Sequence, residues 1–292
     1  MKLSIVVIFF NMTREAARTL YSLSPAYQRG VAAQDYEVIA IDNGSPQPLD
    51  PAVVTSHGPN FRYHYHATDS VSPVEAMNLG AKMAQGEALA VIVDGARMAS
   101  PGLVRLTLDA LRLDAKAFVC ARAWHLGPEV QNFSMLRGYD QATEDALLAE
   151  INWREDGYRL FDVSVIAPSS HGGFLGPFPP ECSWLAMSRT FFLDLGGYDI
   201  RFQSPGGGLC NHEFRNRVLA SPGVRPINLL GEGVFHQVHG GVSTNVAPDN
   251  RPNPGFRAEF ERLKGEPFKP VPAPGLQYVG TLPTAARPHL AA

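Results

Sequence analysis

The chain predicts an α/β fold: a single domain on an open, twisted, mainly parallel sheet flanked by helices. Three observations predict it. Short apolar runs alternate with segments of helical periodicity through the first half of the sequence. Two of those runs, Val38–Ser45 (VIAIDNGS) and Leu89–Val104 (LAVIVDGARMASPGLV), carry an aspartate just past the apolar stretch, Asp42 and Asp94. The composition, 292 residues with 45% hydrophobic and 18% charged, supports one sizeable core.

Leu3–Phe10 is a β-rich run of eight residues, too short to span a membrane, and Asn11, Arg14 and Glu15 follow it without a small-residue cleavage site. It reads as a buried first strand, and no transmembrane segment is expected. Asn11 or Thr13 suits the cap of a helix through Leu23, with Ala16, Ala17, Leu20 and Leu23 on one face. Tyr36–Ile41 is a second strand, and Phe61–His66 alternates as a half-exposed third. Ser72-Pro73-Val74-Glu75 has the pattern of a capping box with proline at the first helical position, opening a helix to about Gln85 that Gly86 stops. Leu89–Val93, a helix from Ser100-Pro101, and a strand at Ala117–Ala123 complete the regular half.

The second half is less regular. Ala142–Glu150 reads as helical, His171–Pro180 as a glycine- and proline-rich loop, and Cys182–Ser188 as a short strand with Trp184 and Met187 in the core. Gly206–Gly208 precede a charged segment, Asn211–Leu219, and read as an active-site cover or a plain surface loop. The domain is expected to span 1–248. Residues 249–292 form a proline-rich tail, with eight prolines between Pro252 and Pro288, to which no fold is assigned.

A net charge of −3 and a pI near 6.3 argue against nucleic acid as a partner. Three cysteines without metal-ligand spacing fit reduced thiols in the cytoplasm. A carboxylate at the C-terminal end of a buried strand is how open α/β sheets present chemistry to a ligand, so Asp42 and Asp94 together point to a nucleotide or metal–phosphate site. Each also suits the start of a turn or a helix cap. Neither a G-x-G-x-x-G nor a G-x-x-x-x-G-K-[ST] motif follows the first strand. His236-Gln237-Val238-His239 offers two imidazoles at three-residue spacing. With a nearby aspartate they suit a divalent metal, and alternatively one is structural and one exposed. His212-Glu213 offers a base and a carboxylate, or a solvated helix face. Phe174, Pro177 and Phe178 suit stacking on a sugar ring or closing a core.

The order of these segments resembles the family 2 nucleotide-sugar glycosyltransferases of GT-A (Rossmann-like) fold, from about Leu3 to Asn245. SIVVIFFNMTREAARTLYSL resembles the family's opening strand and helix, and VIAIDNGS its V-D-[DN]-[GN]-S strand end. VEAMNLGAKMAQGEALAVIVDGA resembles the run leading to the acidic D-x-D motif, and CSWLAMSRTFFLDLGGYDIRF the acceptor-side segment. The resemblance implies an enzyme that transfers a sugar, with inversion, from a nucleotide-diphosphate sugar to a glycan, lipid or protein acceptor. By it, Asp42 contacts the base, Asn78 lines the donor side and Asp94 is the first aspartate of D-x-D. Two positions depart from the pattern. Ala96 stands where the second, metal-binding aspartate belongs, and a methyl group cannot coordinate Mg²⁺ or Mn²⁺. Asn211 stands where E-D-x-[DE]-[LF]-x-x-R places its general base, leaving His212 or Glu213 to serve. FHQVHGG resembles the late strand that supplies a metal-binding histidine, so His236 or His239 compensates beside Asp94, and Arg97 supplies further positive charge. A divalent cation, Mn²⁺ or Mg²⁺, is the expected cofactor. Two readings compete: a non-catalytic module of this fold that binds nucleotide or glycan, and a mononuclear metal hydrolase built on His212, Glu213, His236 and His239.

Overall fold

The protein is described here from a computed structural model covering residues 2–291. The elements in chain order are β1 (Leu3–Phe9), α1 (Thr13–Ser22), β2 (Tyr36–Asp42), α2 (Pro51–Thr55), β3 (Phe61–Tyr65), α3 (Val74–Met83) and β4 (Ala88–Ile92). There follow β5 (Arg97–Ala99), α4 (Leu103–Leu111), β6 (Ala117–Leu126), α5 (Gln131–Ser134), α6 (Gln141–Glu150) and β7 (Ser164–Ile166). Then come β8 (Trp184–Ser188), α7 (Arg189–Asp194), α8 (Cys210–Leu219), β9 (Arg225–His236), α9 (Asn253–Lys264) and β10 (Gln277–Gly280).

The described strands form one sheet in the order β10-β9-β6-β8-β4-β1-β2-β3, with β5 on β9 and β7 on β6. Most pairings are parallel. β8 is inserted antiparallel between β4 and β6, and β5 and β7 are short antiparallel additions. Strands buried on both faces need apolar side chains at every position rather than alternating ones. β1 shows this at all but one position: Leu3, Ile5, Val7 and Phe9 enter one core layer and Val6 and Ile8 the other, while buried Ser4 donates its hydroxyl to Glu37 at 2.6 Å. Helices α1 and α4 cover the first face through Ala16, Leu20, Leu103 and Leu108. Helices α3, α7 and α8 cover the second through Met77, Phe192 and Phe214. A third cluster, half of it aromatic, forms around Trp124 and Phe161. Among the described residues no helix is long and apolar enough to cross a membrane.

Several local expectations change. No capping box forms at Ser72: its hydroxyl donates to the Phe202 carbonyl at 2.7 Å, and its N–H donates to Ser70 Oγ at 3.2 Å. The Glu75 carboxylate instead faces His66 at 3.8 Å. Helix α1 starts without a side-chain cap, because Asn11 adopts a left-handed φ of 53° and donates its N–H to Ser45 Oγ. The helix expected from Ser100 begins at Leu103, after the unforeseen strand β5. The proline-rich segment packs on the domain at three places. Helix α9 buries Phe256 and Phe260, β10 pairs with β9 in parallel, and Ala286 enters the third cluster.

Helix α3 approaches β1 and β2 through Gly80, where a Cβ would lie 2.4 Å from Val6 Cγ1 and 3.0 Å from Ile41 Cδ1. Both neighbours are fully buried, so neither has room to move. Gly80→Ala is therefore expected to lower unfolding free energy by about 1–3 kcal/mol despite alanine's better helix propensity. Urea denaturation of the two proteins checks it; equal midpoints would mean the helix shifts freely on the sheet.

Candidate active site

From β1 the chain proceeds outward to β2 and β3, then returns to β4 on the other side of β1. That reversal leaves a crevice at the carboxyl ends of β1 and β4, where open α/β sheets bind ligands. A cleft of about 630 Å³ opens there. Phe10, Asn11 and Asn43 line one side, and Glu181, Asn211 and His212 the other. Asp94, Arg97 and His239 line it too, as do Phe256 and Arg257 of α9.

The route of the chain after β4 aims Asp94. Gly95 passes so close to β1 that a Cβ would lie 2.3 Å from Phe9 Cδ1 and 2.6 Å from the Ile8 carbonyl oxygen. Asp94 thereby keeps its side chain on the cleft, and Ala96 turns its methyl group into the core, fully buried. A carboxylate introduced at Ala96 would enter that core rather than a metal site. β5 then pairs with the end of β9, setting Arg97 opposite His236, and β6 sets His125 on the other side of the same histidine.

Asp94 Oδ2 lies 2.9 Å from His236 Nε2, and Oδ1 lies 3.5 Å from His239 Nε2. The two imidazoles meet Nε2 to Nε2 at 3.2 Å. One ligand atom from each of Asp94, His236 and His239 lies within 4.8 Å of the others. Gln131 sets the tautomer. Its Nε2 donates to the carbonyls of His236 and Leu126, so its Oε1, 2.6 Å from His236 Nδ1, accepts a proton from that nitrogen. Burial pushes the His236 ring down to about 4, so the ring is neutral with its Nε2 lone pair toward Asp94. Burial opposes the charge on Asp94, but His239 and His236 hold its carboxyl well below the usual range. Burial also opposes charge on His239, and the carboxylate more than offsets it, raising that ring above its ordinary value. Three electron-rich atoms converging on one point need a cation among them, a proton or a metal. One carboxylate and two imidazoles, one of them oriented by a glutamine, suit a divalent transition metal.

Arg97 is 4% exposed, with Nη2 3.6 Å from Asp94 Oδ2 and 3.8 Å from Glu181 Oε1. Its Nε and Nη1 are buried without a partner. Asn211 Oδ1 and His212 Nδ1, also on the cleft, are likewise buried and unpartnered. Burial pushes the His212 ring below its ordinary value.

Three expected site residues point elsewhere. Asp42 is fully buried, and its two oxygens accept the N–H groups of Ser45 and Leu49, each at 2.9 Å. It does not open into the cleft with Asp94; it shapes the loop after β2, and its neighbour Asn43 lines the cleft. Asn78 does not line the cleft. Its amide brackets Tyr198, donating to the carbonyl at 2.8 Å and accepting the N–H at 2.9 Å, which ties α3 to the turn after α7. Glu213 does not line the cleft, and Arg217 at 2.8 Å and Lys264 at 2.7 Å hold its carboxylate. The set His212, Glu213, His236 and His239 is therefore not assembled as one metal centre. Phe174 and Phe178 pack in the interior rather than offering a sugar platform, and Trp184 is in the core as expected. Sequence reasoning missed Glu181, His125 and Gln131. The one mark on Glu181 is its place between a Pro-Pro pair and the strand of the acceptor-side segment.

The sequence matches the family model for glycosyl transferase family 2 over residues 4–167. No curated protein matches it. Among solved structures it is similar in fold to S. aureus TarS, at 13% identity and a TM-score of 0.56, over 82% of this chain and 37% of that one. It is also similar to S. aureus TarS 1-349 in complex with UDP, at 13% identity and TM-score 0.55, over 82% of this chain and 61% of that one. For TarS 1-349 in complex with UDP-GlcNAc the values are 12% and 0.54, over 89% and 67%. The chain thus spans little more than a third of the longer TarS chain.

Asp42 offers a direct check on the loop assignment. Asp42→Asn puts an amide nitrogen where one of two backbone N–H groups now finds an acceptor. The variant is expected to lose about 1–3 kcal/mol of unfolding free energy. An unchanged denaturation midpoint would return Asp42 to the list of ligand-facing groups.

Proposed function

The chain belongs to glycosyl transferase family 2, and from that premise we propose that its cleft takes a nucleoside-diphosphate sugar and transfers the sugar, with inversion, to an acceptor hydroxyl. The observation that carries this reading is Arg97. A buried guanidinium with two unpartnered N–H groups, beside a carboxylate–imidazole cluster at the switch point, is suited to the oxygens of a diphosphate. The cleft volume falls within the range of ordinary small-molecule sites, about 300–1,000 Å³.

In this reading the nucleoside lies along Phe10, Asn11 and Asn43, which line the side of the cleft next to β1 and β2. Arg97 donates to the diphosphate and stabilises the charge that develops on it as the sugar leaves. A divalent cation held by Asp94, His236 and His239 would neutralise the same leaving group. Ala96 supplies no ligand, so the nitrogen donors of β9 and the loop after it take the place of the second aspartate. The three free cysteines support a cytoplasmic location. One observation favours the non-catalytic alternative: the position expected to hold the base is the amide of Asn211. Release of UDP from a UDP-sugar separates the two.

A site with one carboxylate is expected to bind Mn²⁺ weakly alone and more tightly with nucleotide. Calorimetry of Mn²⁺ into the protein with and without UDP, corrected for Mn²⁺ binding to UDP, checks this. Tight Mn²⁺ binding indifferent to UDP would remove the donor reading. Gln131→Leu is expected to weaken Mn²⁺ binding about 10–100-fold by releasing His236. Arg97→Gln is expected to weaken UDP binding about 10–100-fold, the loss of a charge-assisted contact of about 1.5–3 kcal/mol. An unaltered dissociation constant for a folded Arg97→Gln variant would separate Arg97 from the diphosphate.

A further inference from the structure

Transfer to a hydroxyl needs a group to take its proton, and Asn211 cannot. Among the described residues two carboxylates line the cleft, Asp94 and Glu181. Asp94 is committed to His236 and His239. We propose that Glu181 is the general base of this enzyme, a role that rests on the donor reading above.

Three features support it. Glu181 shares Arg97 with the leaving-group side of the cleft: the same Nη2 atom lies 3.8 Å from Glu181 Oε1 and 3.6 Å from Asp94 Oδ2. The two carboxylates are thus no farther apart than those two distances laid end to end. Second, the Glu181 side chain is 36% exposed and its oxygens make no hydrogen bond to any described residue, so both can accept one from an incoming hydroxyl. Asp42 and Glu213, by contrast, have theirs occupied.

Third, the loop carrying Glu181 is held from below by two buried arginines. Arg122 donates to the carbonyls of Gly176 and Pro177, and Arg215 donates to those of Phe178 and Pro179. Cys182 Sγ also donates to Pro179 at 3.3 Å, and Cys182 itself takes a left-handed φ of 53°. A non-glycine residue holds that conformation only where its surroundings impose it, and such positions gather at functional sites. Two guanidiniums and one strained residue fix a segment whose exposed product is one carboxylate in the cleft.

The acceptor O–H bond breaks and its proton passes to a Glu181 oxygen. The acceptor oxygen forms a bond to the anomeric carbon, the bond from that carbon to the diphosphate oxygen breaks, and the electron pair leaves on the nucleoside diphosphate. Glu181 then returns the proton to solvent. His212 is the rival base. Its ring is packed edge-on against Phe268 at 5.3 Å, with Nδ1 buried.

The test uses the full chain, with UDP-GlcNAc, UDP-glucose and UDP-galactose as donors, water as acceptor, and UDP release as the readout. On the donor turned over fastest, Glu181→Gln is expected to lower kcat about 100-fold or more, with donor KM and melting temperature close to wild type. Glu181→Asp is expected to recover part of the loss. A Glu181→Gln kcat within about twofold of wild type overturns the proposal. So does a loss that appears in KM or melting temperature instead of kcat, or one shown by His212→Gln and not by Glu181→Gln. Wild-type protein that neither binds UDP nor turns over any of the three sugars removes the donor reading itself, and Glu181 with it.

Discussion

Strand β9 changes partners along its twelve residues, and the cleft depends on where those changes fall. Its first half lies between β10 and β6, and its second half lies between β5 and β6. In between, Ala121 of β6 alone faces Leu229–Glu232 of β9, so β9 bulges out of register. The bulge is stitched down at Glu232, whose carboxylate accepts from Ser100 Oγ, the Gly102 N–H and the Tyr158 hydroxyl. It is packed against at Gly233, where a Cβ would lie 2.2 Å from Trp124. Only after this excursion does β9 return to register, and its last residue, His236, arrives opposite Arg97 and beside His125. A slip of one residue would turn His236 to the other face and dissolve the cluster with Asp94.

Much of the remaining polar chemistry in the interior shapes backbone rather than meeting ligand. Asp42, Arg122 and Arg215 are each 4% exposed or less, and all three hold main-chain groups of loops that border the cleft. Burying a charge is costly unless its hydrogen bonds are satisfied. Here they are satisfied largely by loops, which gain in return a fixed course that a turn of prolines and glycines would not keep alone. Arg97, Asn43, Asn211 and His212 each keep an unsatisfied buried atom and line the cleft, whereas Arg122 and Tyr198 keep one away from it. Position on the cleft, not the free atom alone, separates supporting groups from groups able to bind.

The division also explains what was legible from the sequence. Strands β1, β2 and β4 were legible because strands buried on both faces read as nearly continuous apolar runs, and the position of Asp94 followed from the end of such a run. The pair His236 and His239 was legible as a pair, though its link to Asp94 arises from the β5–β9 pairing, which no local pattern announces. Asp42 and Asp94 look alike in sequence, each an aspartate past a strand, yet one faces loop N–H groups and the other a cleft. Nothing in residue type distinguishes the two. Asn78 and Glu213 misled for the same reason, since an amide or a carboxylate on a helix fits a tertiary clamp as well as a ligand. Glu181 was invisible because it depends on Arg122 and Arg215, residues distant in sequence whose effect on it passes through a loop.

Helix α9 has a consequence for the order in which the molecule is made. A growing chain folds from its N-terminus as it emerges. The strands that hold Asp94 and the Gly95 passage, β1 and β4, belong to the first third of the sequence, and α1 and α3 pack on the sheet there. Phe256 and Arg257, which wall the cleft, and β10, which pairs with β9, come from the last forty or so residues of the sequence. During synthesis the carboxylate is therefore present long before the cavity that surrounds it. The enclosed site exists only once α9 and β10 have emerged, and a chain interrupted before them would carry the aspartate without the enclosure.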